Sequence, residues 1–162
     1  VLFPSLRLGY VVVPEQLLAP FMDMRASIDD HPALALQPVL HTFFDEGHFA
    51  SHIRKQRKLY AERQEQLIRA LNKEASGLLS ASPHDAGMHL VANINPLSCL
   101  SDQEISHQAR EIGLAVPALS GYFEGKKSRQ GLILGYAGLT ESEINRDVRR
   151  LVGSIDQVKK KV

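Results

Sequence analysis

The chain has 162 residues, 44% hydrophobic, 23% charged and 6% aromatic, which allows one domain, or one small domain with part of another. Its net charge of +1 gives no global electrostatic case for nucleic acid or for a membrane surface. Cys99 is the single cysteine, which excludes an internal disulfide and fits a reducing cytoplasm, and no apolar run approaches the roughly 20 residues of a membrane span.

The chain begins at Val1, directly in a strand-like stretch, and reads as a piece of something longer. In "FPSLRLGYVVVP" (residues 3–14) the continuous apolar character of residues 10–13 predicts a strand covered on both faces. Arg7 sits at its entry, where a charge is costly unless it meets an anion, so a phosphate or carboxylate is one expectation for it and a structural ion pair is the other. After Pro14, "EQLLAPFMDMRASIDD" predicts a helix with Leu17, Leu18, Phe21 and Met24 on one face, interrupted by Pro20. The pattern breaks at Asp29–Pro32 and turns helical again over residues 33–44. Beyond Gly47, the recurrence of Phe49, Ile53, Tyr60, Leu67 and Leu71 predicts a second helix from about His48 to about Glu74, long enough to bridge two domains.

Past Gly77 the texture changes. "MHLVANIN" (88–95), "LAVPAL" (114–119) and "LILGYAGL" (132–139) are expected strands. Ser101-Asp102-Gln103-Glu104 and Thr140-Glu141-Ser142-Glu143 have the form of capping boxes. The first opens a helix with Ile105, Ala109 and Ile112 inward and Gly113 as its stop. The second opens one with Ile144, Val148, Leu151, Val152, Ile155 and Val158 along one stripe. The resulting order β-α-β-β-α describes a compact α/β lobe with a small open sheet.

Several groupings carry possible chemistry. His48 and His52 have the i, i+4 spacing of metal ligands, but no cysteine or acidic cluster completes a site and position 49 is Phe rather than the Glu of a zinc protease. Arg54, Lys55, Arg57, Lys58 and Arg63, interleaved with Tyr60, could contact phosphates, though such a run suits the solvated side of a helix. His84, Asp85 and His89 lack a nucleophile in a GxSxG elbow, and Asp85–Gly87 reads as the turn before a strand. Lys126, Lys127 and Arg129 lie in a loop where either an anion or plain solvent could face them.

"LFPSLRLGY" followed by "ALALQPVLHTFFDEGHFASHIRKQRKLYAERQEQL" resembles the aminotransferase-like effector domain of MocR-type regulators, which belong to the GntR superfamily and join a winged helix-turn-helix domain to that effector domain. "AGMHLVANI" and "GLILGYAGLTESEINRDVRRL" are similar to the small C-terminal lobe of the same family. The resemblance implies an α/β fold, the C-terminal portion of a fold-type-I pyridoxal-phosphate transferase. Residues 1–47 would be the end of the large, cofactor-binding domain, 48–76 an interdomain helix, and 77–162 the small α/β domain with a short sheet. It also implies pyridoxal 5′-phosphate as the cofactor of the parent protein, gripped at its phosphate by Arg7. The Schiff-base lysine is expected just before Val1, so that the chain by itself holds no catalytic residue, is inactive, and does not retain the cofactor. DNA contacts would come from a winged-helix domain outside this chain, with a small amine or amino acid as effector, in a cytoplasmic homodimer and without a membrane. One departure stands out: the arginine that holds a substrate carboxylate in many aminotransferases falls on Ile133, which cannot form a charge-assisted fork. A class I/II aminotransferase remains the alternative parent, and a lobe that makes only structural or dimer contacts is a third reading.

Overall fold

The computed structural model describes residues 8–28, 34–85, 87–124 and 129–159, and the chain divides into two compact units, Val1–Arg57 and Lys58–Val162.

In the first unit, residues 8–14 form irregular backbone rather than the expected strand, with Tyr10 94% and Val12 84% exposed. A strand exists only through a ladder with a neighbour, and no described residue pairs with this segment. Helix α1 (Glu15–Ile28) follows and keeps Pro20 in its interior. No side chain of α1 is buried, and Leu17, Leu18, Phe21, Met22 and Met24 all remain exposed. Helix α2 (Gln37–Asp45) starts with a proline in its first turn and no side-chain cap. It ends at Glu46, where Gly47 takes φ = 74°, a left-handed turn that glycine adopts without a Cβ clash. The turn brings Phe44 against Phe49, ring centroids 4.3 Å apart, at the start of α3 (His48–Glu74).

The second unit holds the core. Only the later half of α3 is buried there, through Gln64, Leu67, Ala70 and Leu71. A three-stranded antiparallel sheet follows, in the order β1 (Leu79–Ser80), β2 (His89–Ile94), β3 (Gly131–Gly135). The β2–β3 ladder sets His89 opposite Gly135, Val91 opposite Ile133 and Asn93 opposite Gly131. Because side chains alternate, Leu90, Ala92, Ile94, Leu132 and Leu134 share one face, and all five are buried. Helices α4 (Asp102–Glu111) and α5 (Glu141–Lys159) complete this core with Ile105 and Ala109 from α4, and Ile144, Val148, Leu151, Ile155 and Val158 from α5. Each large aliphatic side chain buried this way contributes about 1.5–3 kcal/mol.

The expected strand at 114–119 is not one. Residues 114–117 run as irregular chain, and among the described residues backbone pairing of the segment with β3 is limited to an Ile133 N–H donating to the Pro117 carbonyl at 2.9 Å and a single bridge between Ala118 and Leu132. Pro117 has no N–H to donate, so the ladder cannot propagate through it. The chain then tightens into a 3-10 turn, Leu119–Tyr122. The two-residue strand β1 is a strand that the sequence pattern did not indicate.

The first expected capping box forms by half, without a return bond to the Glu104 carboxylate, and the second forms in full. Ser101 Oγ accepts the Glu104 N–H at 3.4 Å. In the second, Glu143 accepts both the N–H and the hydroxyl of Thr140, each at 2.7 Å, while its own N–H donates to Thr140 Oγ1 at 3.4 Å. The backbone and side-chain hydrogen bonds from Thr140 hold the Glu143 carboxyl below its ordinary value. A depressed folded value means a contribution present above the unfolded glutamate range of about 4.3 and lost as pH falls through the lower folded value. Glu143→Gln should therefore unfold at lower urea than the parent chain at neutral pH, and the gap should close below pH 4. A gap of the same size at both pH values would remove the carboxylate from this cap.

Among the described residues no helix is long and apolar enough to cross a membrane.

Candidate functional site

The sheet presents a second face, opposite the core. Alternation puts His89, Val91 and Asn93 of β2 there beside Ile133 and Gly135 of β3, none of them fully buried. The His89 ring lies over Gly135: a Cβ at position 135 would stand 3.2 Å from His89 Cδ2, so glycine is what lets the imidazole rest on the strand. Val91 and Ile133 form an aliphatic pair in the middle. At the far end Arg129 Nη2 donates to Asn93 Oδ1 at 2.7 Å. Position 133, where the resemblance implies a carboxylate-binding arginine in related enzymes, is thus an aliphatic spot on this face.

Beside the face runs a polar network. Gln64, on α3 and buried, donates from Nε2 to the Tyr136 hydroxyl and to the His84 carbonyl, both at 3.0 Å, and accepts the His84 N–H at Oε1, 3.1 Å. Tyr136, at the end of β3 and 1% exposed, passes its own proton to the Gly87 carbonyl at 3.2 Å. The His84 backbone is therefore held by structure, while Asp85 and His89 are exposed and not joined to a nucleophile among the described residues. Gln64 was not singled out by the sequence, because its position lies inside an apolar stripe where a polar residue gives no periodic signal.

Arg7, Lys126 and Lys127 lie outside the described residues. Arg54, Lys55, Arg57 and Lys58 are exposed on α3, and Arg63 donates to the Ala137 carbonyl. His48 Nε2 lies 3.1 Å from Glu46 Oε2, and the rings of His48 and His52 both face Phe43. No cluster of three or more His, Cys, Asp or Glu side chains able to hold a metal occurs among the described residues.

Asp102, fully buried at the first position of α4, is a junction for three segments. Its carboxylate accepts the Ser120 N–H at 2.8 Å, the Ser120 hydroxyl at 2.7 Å and the Gly131 N–H at 3.2 Å. It joins the start of α4, the 3-10 turn and the start of β3, and so sets where β3 and its open face begin.

No family model matches the chain. Among curated proteins it is 37% identical over 150 residues, 93% of its length, to the probable rhizopine catabolism regulatory protein MocR of Rhizobium meliloti, of which it spans 30%. It is 25% identical, over 93% of its length and 37% of the relative, to the 2-aminoadipate transaminase of Thermus thermophilus. Among solved structures, the α-aminoadipate aminotransferase LysN of Thermus thermophilus, complexed with N-(5′-phosphopyridoxyl)-L-leucine, superimposes with a TM-score of 0.87 at 23% identity, over 98% of this chain and 40% of that one. The chain thus spans about a third of the length of the curated relatives it matches, and its fold is that of the C-terminal portion of fold-type-I aminotransferases.

Proposed function

We propose that this chain, the aminotransferase-like part of a MocR-type regulator, serves its parent protein as a ligand-sensing lobe that uses pyridoxal 5′-phosphate and adjusts how attached DNA-binding domains are held. The observation that carries the reading is the 37% identity to the MocR protein over 93% of the chain, joined to the aminotransferase fold. The assignment of Arg7 to the cofactor phosphate, of a lysine immediately before Val1 to its aldehyde, and of residues 1–47, 48–76 and 77–162 to large domain, linking helix and small domain follows from the family resemblance. So do the cytoplasmic location and a homodimeric parent.

When bound, the pyridoxal ring supplies an electron sink for an amine attached to it. The contribution of this chain's own residues is different. A guanidinium such as that of Arg7 offers a planar fork matched to a phosphate. The lysines on α3 (Lys55, Lys58 and Lys73) are exposed, so we assign no catalytic group within the chain. The open sheet face carries Ile133 where the resemblance places the arginine of a carboxylate-gripping enzyme, which favours sensing over ordinary amino-acid turnover.

A second reading, a class I/II aminotransferase, is favoured by the likeness to the 2-aminoadipate transaminase. One experiment separates the two. The full-length protein is titrated with pyridoxal phosphate while its absorbance is followed, then tested for retention of its own upstream DNA with and without added amino acids. The regulator reading expects a bound-cofactor absorbance and a change in DNA retention. Steady turnover of an amino acid with 2-oxoglutarate would transfer the conclusion to the enzyme, and a folded protein with no bound-cofactor absorbance would overturn both.

A further inference from the structure

A cleft of about 970 Å³ opens at the β1 end of the second unit, between the turn after Ile94, the start of α4 and the residues leading into β3. Its polar wall is made of Ser80, Asn93, Asn95, Ser101, Arg129 and Gln130. Among the described residues no acid lines it, and Arg129 supplies its only charge. Asp102, next in the chain to Ser101, turns its carboxylate to Ser120 and Gly131 and does not line the cleft.

The guanidinium is held at one corner. Its hydrogen bond to Asn93 Oδ1, 2.7 Å, fixes the plane of the fork through a neutral acceptor and leaves the positive charge uncancelled. No acid of the described residues pairs with it, in contrast to Arg69, Arg146 and Arg150, which bond to Glu65 or Asp147. Other donors face the same space. The Ser101 hydroxyl accepts from Glu104 and keeps its own proton to give, and Gln130 uses its oxygen for the Asp102 N–H, which leaves its amide NH₂ as a donor. Asn95 gives one amide hydrogen to Gly77 and accepts from Leu97, which fixes its place in the wall. A cleft with one oriented guanidinium, a hydroxyl and an amide donor, and no carboxylate to repel an anion, suits a compact oxyanion. By contrast, a cleft of about 380 Å³ between α5 and β3 is walled mostly by aliphatic side chains, and its one acid, Asp147, is already held by Arg146 and Arg150.

We propose that the Arg129 cleft is a binding site for a small molecule bearing a single oxyanion, a carboxylate or a phosphate, gripped by Arg129 and received by Ser101 and Gln130. It lies on the second unit alone and does not require the cofactor.

The test uses the full-length protein at constant ionic strength, titrated calorimetrically with propionate and separately with inorganic phosphate, alongside the neutral amide propionamide. Cys99, exposed and lining the same cleft, reports location through the rate of its alkylation by iodoacetamide, read by peptide mass mapping. Saturable binding of either anion, with Cys99 protected over the same concentration range and propionamide inert, is the expected result. In Arg129→Gln the half-saturating concentration should rise about tenfold or more, as the loss of a charge-assisted contact requires. Which anion binds tells a carboxylate ligand from a phosphate one. Equal affinity in the parent and in Arg129→Gln, or no saturable protection of Cys99 by either anion, overturns the proposal. Arg129 is exposed, so the variant should fold; matching circular dichroism and thermal midpoints verify that a lost affinity is not lost structure.

Discussion

Replacing Asp102 by alanine should lower the unfolding free energy of the second unit by about 2–4 kcal/mol, the cost of leaving buried backbone donors without an acceptor. The carboxylate is fully buried and accepts three hydrogen bonds from Ser120 and Gly131. Hydrogen bonds to a charged acceptor contribute about 1.5–3 kcal/mol each in favourable cases, and a buried donor left without a partner adds its own penalty. Two of the three donors are backbone N–H groups at fixed positions, so they cannot swing away to water. Asp102→Asn can keep the oxygen that accepts both N–H groups and turn its amide nitrogen to the Ser120 hydroxyl, which can accept, so it should lose roughly half as much, mainly the charge assistance. Urea unfolding followed by circular dichroism measures both. A loss below about 1 kcal/mol for alanine would mean that the three segments are positioned by the apolar core rather than by this carboxylate.

The second large effect concerns the cofactor. If Arg7 holds the phosphate of pyridoxal phosphate, as the family resemblance implies, then Arg7→Ala in the full-length protein should raise the half-saturating cofactor concentration by about 10–100-fold. That range corresponds to losing a charge-assisted contact of about 1.5–3 kcal/mol. Arg7→Lys should fall between, since an ammonium keeps the charge but not the bidentate fork. The absorbance of the bound cofactor gives both values. An unchanged titration in Arg7→Ala would leave Arg7 as a structural ion-pair residue and move the phosphate to other donors.

Local rules made the second unit readable. The side-chain caps at Ser101 and Thr140, the left-handed Gly113 and the stripe from Ile144 to Val158 each predict structure from a few neighbouring residues, and each is found where expected. The long helix from His48 to Glu74 was legible for the same reason. What failed depended on partners. Residues 10–13 look like a buried parallel strand, yet a strand is a property of two chains side by side, and the described residues provide no second one. "LAVPAL" has strand composition, but Pro117 removes the donor that a ladder needs. β1 is too short, at two residues, to carry an alternating pattern. The cleft was equally hidden: Arg129 could be suspected from its charge, whereas Asn93, Ser101 and Gln130 come together only through the fold. The likeness to MocR-type regulators came from whole-segment similarity, not from any short motif.

The amide of Gln64 treats the backbone of His84 as an adjoining β-strand would, one donor and one acceptor matched to the carbonyl and the N–H of that residue, with its remaining hydrogen given to Tyr136. A helix packed by leucines alone can slide or roll slightly over its neighbours at little cost, because apolar contacts are indifferent to small displacements. This one cannot, since a shift by a single residue would break three directional bonds at once. Gln64 therefore pins α3 to the loop at His84 and to the end of β3 at once, like a gear tooth in its notch, and fixes the register of the helix against both.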